Sequence, residues 1–115
     1  SIIKLETSEV VIPSFEGEMG ILKDHISLIT FLRPGIINIK SDTEQKFFVE
    51  EGTVEFSDNN LLILTSTAVE VTKMNKKFID SLISASKKKL DNNEISDKER
   101  YLLSYKIETL RNINQ

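Results

Sequence analysis

The sequence predicts an α+β chain in two parts: an N-terminal antiparallel β-sandwich over residues 1–72, then a C-terminal antiparallel two-helix hairpin over residues 73–115. Three observations carry that prediction. Short β-branched runs broken by turn residues fill the first part, the hydrophobic period lengthens after Asn75, and the sign of the charge reverses between the two parts.

Seven runs read as strands: 9–12, 26–31, 36–40, 46–49, 53–56, 61–65 and 68–71. So many short strands at close spacing indicate a sandwich or barrel. The breaks have mechanisms. Pro34 fixes φ in the turn Arg33-Pro34-Gly35, Ser41-Asp42-Thr43 forms another, and Ser57-Asp58-Asn59-Asn60 offers Asx-type bonds and tolerance of positive φ. Read as hairpin connections, these turns make the sheets mostly antiparallel. Alternation in Ile37-Asn38-Ile39-Lys40 and in Thr53-Val54-Glu55-Phe56 sends one face to the core and the other to water. A further apolar, strand-like run follows Ser1 at once, as expected of a processed N-terminus or of absent first residues.

From Asn75 the pattern is helical. Phe78, Ile79, Leu82, Ile83 and Leu90 form one stripe, and Lys87, Lys88 and Lys89 crowd the last turn, where cations suit the helix dipole. Asp91-Asn92-Asn93 ends this helix. Ser96-Asp97-Lys98-Glu99 reads as a capping box opening a second helix, with the stripe Leu103, Ile107 and Leu110. A short polar loop between two amphipathic helices makes a hairpin.

Composition narrows the chemistry. Six Phe and two Tyr are the aromatics, with Trp absent, so Ile, Leu and Val must build the core. Without Cys, thiolate zinc sites, disulfides and cysteine nucleophiles are excluded. The apolar runs fall far short of the roughly 18 residues that cross a bilayer as a helix. Residues 1–72 carry five Lys/Arg against twelve Asp/Glu, a charge of −7, whereas 73–115 carry ten against six, a charge of +4. A basic hairpin therefore folds back on its own acidic module or reaches for an acidic partner. An acidic pI near 5.2, and lysines without interleaved aromatics, argue against nucleic acid.

Candidate catalytic groups are few. His25 lies beside Asp24 and two residues before Ser27, but neighbours on an extended segment point to opposite faces, which does not make a triad. Glu16 and Glu18 share a face at roughly 6 to 7 Å, a separation that suits paired-carboxylate chemistry, yet no sugar platform accompanies them. A metal site from Glu16, Glu18, Asp24 and His25 matches no ligand spacing. Glu16-Gly17-Glu18-Met19-Gly20 lacks the lysine of a phosphate loop, and its carboxylates would repel phosphate. Solvated or partner-contacting carboxylates fit better than a catalytic site.

The stretch Val10-Val11-Ile12-Pro13-Ser14-Phe15-Glu16-Gly17-Glu18-Met19-Gly20-Ile21-Leu22-Lys23-Asp24-His25, followed by Leu28-Ile29-Thr30 and Leu32-Arg33-Pro34-Gly35, closely resembles the epsilon subunit of bacterial F-type ATP synthases, the equivalent of the mitochondrial delta subunit. Phe48-Val49-Glu50-Glu51-Gly52 is similar to the family's Val-Ser-Gly-Gly segment, and Leu62-Ile63-Leu64-Thr65-Ser66-Thr67-Ala68 to its Val-Leu-Ala-Asp-Thr-Ala. The likeness is strong to Ala68 and architectural beyond it.

The resemblance implies a sandwich of about ten strands that forms part of the central rotor, linking the c-ring to the gamma subunit without catalytic residues or cofactors of its own. It implies c-ring-facing loops with Glu16, Glu18, Met19, Asp24 and His25, and contact with the membrane only through that ring. It implies a hairpin that lies against the sandwich or extends toward the catalytic subunits and restrains ATP hydrolysis, for which Lys76, Lys77, Lys87, Lys88, Arg100 and Arg111 are the basic candidates. The implied location is peripheral, on the cytoplasmic face of a bacterial inner membrane or the matrix or stroma side in an organelle. A free-standing binding sandwich and a small hydrolase are the rival readings. Departures from the family pattern are specific. Pro13-Ser14 stands for Pro-Gly, Lys23-Asp24-His25 for Pro-Gly-His, and Met74-Asn75-Lys76-Lys77-Phe78-Ile79 for the nucleotide motif Ile/Leu-Asp-x-x-Arg-Ala, so no regulatory ATP site is expected. The family's longer N-terminal strand is also missing, which predicts an open sheet edge.

Overall fold

The structure, a computed structural model, describes residues 2–5, 9–22, 24–41 and 43–113. Ser1, Lys23 and Asp42, named above, lie outside the described residues. Among the described residues nine strands precede the helices: β1 (Ile2–Leu5), β2 (Glu9–Ser14), β3 (Gly17–Leu22), β4 (Leu28–Leu32), β5 (Gly35–Lys40), β6 (Gln45–Val49), β7 (Gly52–Ser57), β8 (Asn60–Leu64) and β9 (Val69–Glu70). A 3-10 turn, Val71–Lys73, leads to α1 (Lys76–Leu90) and α2 (Asp97–Ile113).

Every strand pairing is antiparallel. One layer runs β1-β8-β7-β4 and the other β3-β2-β5-β6-β9, joined where Ser14 of β2 meets Leu32 of β4. The inner faces interdigitate: Val10, Ile12, Ile21, Ile37, Ile39 and Val49 from one layer meet Leu32, Val54, Phe56, Leu61 and Ile63 from the other. Burial alternates along β5 and β7 as the period-2 pattern requires.

Two expectations need correction. Residues 17–22, read as a glycine-bearing loop, form β3, a full hairpin partner of β2 with Ser14 opposite Gly17 and Glu9 opposite Leu22. Only Gly17 serves the turn, at φ +116°, while Gly20 sits within the strand. Arg33-Pro34 is not a hairpin turn but a crossing between layers, since β4 pairs with β7 and β5 with β2 and β6. The tight packing of Gly35 on Pro13 explains the glycine there, because a Cβ would lie 2.5 Å from the Pro13 Cβ. At the end of the first layer β1 pairs with β8, and no strand among the described residues pairs with its far side.

The helices start as their caps dictate. Asn75 Oδ1 accepts from the Phe78 amide (2.8 Å) and Ser96 Oγ from the Glu99 amide (3.0 Å). The hairpin packs on the outer face of the second layer: Phe48, Met74, Ile79 and Leu110 are buried together, with Ile36, Val69, Leu82, Ile83 and Ile113 around them. Phe78 leaves its predicted stripe and stands 40% exposed, and Ser86 takes a buried place, its hydroxyl donating to the Leu82 carbonyl.

Candidate interaction surfaces

Three surfaces carry the chemistry. The first is the β3 edge. Among the described residues β3 pairs with β2 alone, so its outer edge is unpaired. Glu16 in the β2–β3 turn and Glu18 on the strand are exposed, and the turn is fixed by Ser14 Oγ, which donates to the Gly17 carbonyl (2.8 Å) and accepts from the Glu16 amide (3.2 Å). Charged side chains on an open edge also discourage unwanted strand pairing. Met19 alternates inward and packs against the core, so its contribution is to hold the strand rather than to face outward.

Asp24 and His25 lie beyond the other end of β3, and at strand rise the eight residues separating Glu16 from Asp24 span roughly 25 Å. Asp24 has φ +66°, the conformation expected of glycine in Pro-Gly-His, and an exchange of bonds with Asn59 holds it there. The Asp24 amide donates to Asn59 Oδ1 (2.6 Å) and Asn59 Nδ2 donates to Asp24 Oδ1 (3.0 Å). His25 Nδ1 lies 2.7 Å from the Ile26 carbonyl, and the ring meets Phe56 edge-on at 6.0 Å. Glu16, Glu18, Asp24 and His25 are therefore spread along one long edge, with Met19 turned to the core, and the five do not converge on one point. The length of β3 keeps Glu16 and Glu18 from joining Asp24 and His25 around one ion.

The second surface is the outer face of β4, β7 and β8. Ile29 is 73% exposed, Phe31 61% and Leu64 51%, in a face left open because the hairpin covers the opposite layer. Apolar exposure clustered on one face in this way marks an interaction site. Glu55 lies within it, opposite Ile29 on one neighbouring strand and Leu62 on the other.

The third is the seat of α2. Lys106 Nζ pairs with Glu50 Oε1 at 2.5 Å, with the lysine side chain only 14% exposed. Glu50 is itself positioned by its amide bond to Thr67 Oγ1 (3.0 Å), while Thr65 Oγ1 donates to the Glu51 carbonyl (2.6 Å). The Arg33 guanidinium lies 3.9 Å from the Tyr105 ring centre, a cation–π contact, and Tyr105 meets Tyr101, which stacks on Phe15. Of the basic candidates on the hairpin, Lys76, Lys77, Lys87, Lys88 and Arg111 are exposed, but Arg100 already donates to the Leu90 carbonyl and so ties the two helices together. Sequence reading missed Lys106, although it falls at helical spacing within the stripe Leu103, Ile107 and Leu110. It also missed Ile29 and Phe31, whose i, i+2 spacing marks a shared face.

The first 71 residues match the family model "ATP synthase, Delta/Epsilon chain, beta-sandwich domain". The ATP synthase epsilon chain of Pelagibacter ubique (strain HTCC1062) is 46% identical over 112 residues, covering 96% of this chain and 86% of that one. This chain belongs to the ATP synthase delta/epsilon family. Two further members share less: the epsilon chain of Rhizobium etli (strain CIAT 652) is 34% identical over 73% of this chain and 64% of its own length, and the mitochondrial ATP synthase subunit delta of Schizosaccharomyces pombe is 31% identical over 79% and 56%. The family fold recurs in a chain of the Euglena gracilis mitochondrial ATP synthase OSCP/F1/c-ring structure, at TM-score 0.75 and 19% identity over 95% of this chain and 71% of that one. It recurs again in the Tetrahymena thermophila mitochondrial ATP synthase central stalk/c-ring structure, at TM-score 0.59 and 15% identity over 93% and 79%. Within this family, the departure at the start of α1 has a structural role of its own, because Asn75 is the N-cap.

Proposed function

We propose that this chain is a non-catalytic central-stalk subunit of a proton-translocating F-type ATP synthase, linking the c-ring to the gamma subunit. The observation that carries the reading is the open apolar face of Ile29, Phe31 and Leu64, backed by a rigid two-layer core. A single-surfaced helical partner such as gamma would cover it, and burying such side chains is the dominant favourable term in association. The acidic β3 edge, with Glu16, Glu18 and Asp24 spread along it, suits the polar loops of a broad ring better than a point-like ligand. Residues 1–72 would then dock on the rotor, membrane attachment would come through the ring on the face that carries the catalytic subunits, and residues 73–115 would restrain hydrolysis through their exposed lysines.

The decisive experiment is reconstitution of the full chain with gamma and the c-ring. Phe31→Asp is expected to abolish gamma capture, and Glu16→Lys with Glu18→Lys to weaken retention on the ring at low salt. Recovery of every variant at parental levels would defeat the reading. Removal of 73–115 is expected to raise ATP hydrolysis by the assembled enzyme, and an unchanged rate would refute the regulatory part alone.

A further inference from the structure

The apolar face does not stop at the sheet. The Phe15 amide donates to the Phe31 carbonyl (3.4 Å), and the Phe15 ring stacks on Tyr101 of α2 with centres 6.2 Å apart. A groove of about 640 Å³ separates Phe31 and Leu64 on one wall from Lys98 and Leu102 on the other. Phe15 is 41% and Tyr101 37% exposed, so exposed apolar side chains extend from Leu64 of β8 and Phe31 of β4, with Thr53 of β7 between them, to the helix. The helical wall is held in place by the Glu50–Lys106 pair and by Arg33 on Tyr105.

We propose that the docking face for the rotor partner is composite, built from Phe31 and Leu64 together with Tyr101 and Leu102, so that partner binding and seating of the hairpin stabilise each other. This rests on the reading of Ile29, Phe31 and Leu64 as a docking face. The occupant is an apolar helical ridge of the partner with a cation beside it. Charge decides the orientation: Glu55 has no ion-pair partner among the described residues and lies amid Ile29 and Leu62, whereas Glu50 is already neutralised by Lys106. The partner's cation therefore meets Glu55, and Lys98 on the far wall repels it from that side. Because the groove loses its Lys98 and Leu102 wall when α2 leaves, the factor by which a seated hairpin raises partner affinity equals the factor by which the partner raises seating.

The test uses the full-length chain and purified gamma subunit, with affinity measured by titration calorimetry and α2 followed by amide exchange. Phe31→Asp should lower affinity at least about tenfold. The pair Tyr101→Ala, Leu102→Ala should lower it by about tenfold, and gamma should slow exchange across residues 97–113. Glu55→Lys should weaken binding at low salt, with the loss shrinking as salt rises. Parental affinity in the alanine pair, with α2 exchange unmoved by gamma, overturns the composite surface while a Phe31→Asp loss leaves the docking face standing. Parental affinity in Phe31→Asp overturns the docking face itself, and parental affinity in Glu55→Lys overturns the orientation.

Discussion

Backbone conformation at single residues sets the turns on which the surfaces rest. Gly52 opens β7 at φ +151°, and a Cβ there would lie 2.5 Å from the Leu64 carbonyl oxygen and 3.0 Å from the Thr65 Cβ. Backbone and a β-branched side chain cannot yield cheaply, so Gly52→Ala should destabilise by at least about 2 kcal/mol in chemical denaturation. Asp24 and Asn59 both occupy the left-handed region, and their mutual hydrogen bonds offset the strain. Asn59→Ala removes both bonds and leaves a β-carbon at φ +61°, and should cost about 1 to 2 kcal/mol. Positive φ at residues 58–59 was readable from Ser57-Asp58-Asn59-Asn60. The same conformation at Asp24 was not, since only its long-range partner Asn59, 35 residues away, makes it tolerable.

Among the elements, the helices were the most legible, because their caps and stripes are local. Ser96→Ala should lower stability by about 1 kcal/mol and speed exchange in the first turn of α2, with Ser96→Asp restoring both. The strands with strict alternation, such as 36–40 and 53–56, were equally readable. β3 was not. Its glycines and carboxylates carry the composition of a loop, and it is a strand only because Val10 and Ile12 of β2 bring Ile21 and Met19 into register beneath the core. The crossing at Arg33-Pro34 was misread for a related reason, since a proline turn between two strands looks alike whether the strands pair or part. The candidate acidic residues were thus identified by type, but their distribution along an edge required the sheet order.

At the scale of the whole molecule, the charge split seen in the sequence is expressed, among the described residues, in one part-buried ion pair between the two parts. Glu50 has a side chain 35% exposed and Lys106 only 14%, so Lys106→Met should loosen the hairpin by about 1 to 3 kcal/mol. Amide exchange of α2 would report it, and Glu50→Lys combined with Lys106→Glu should recover part of the loss. Salt should have only a weak effect on the native pair, since it is partly shielded from solvent. The link into the hairpin has a mechanical corollary. The 3-10 turn Val71–Lys73 runs from the short β9 into a capped helix, and no glycine interrupts residues 69–90. A detached α1 would thus behave as a stiff boom pivoting near Met74, sweeping an arc of about 22 Å, with α2 adding about 25 Å more. A target touched by α1 and α2 themselves lies inside that radius, and lengthening α1 by whole turns would move the point of contact outward in steps of about 5.4 Å.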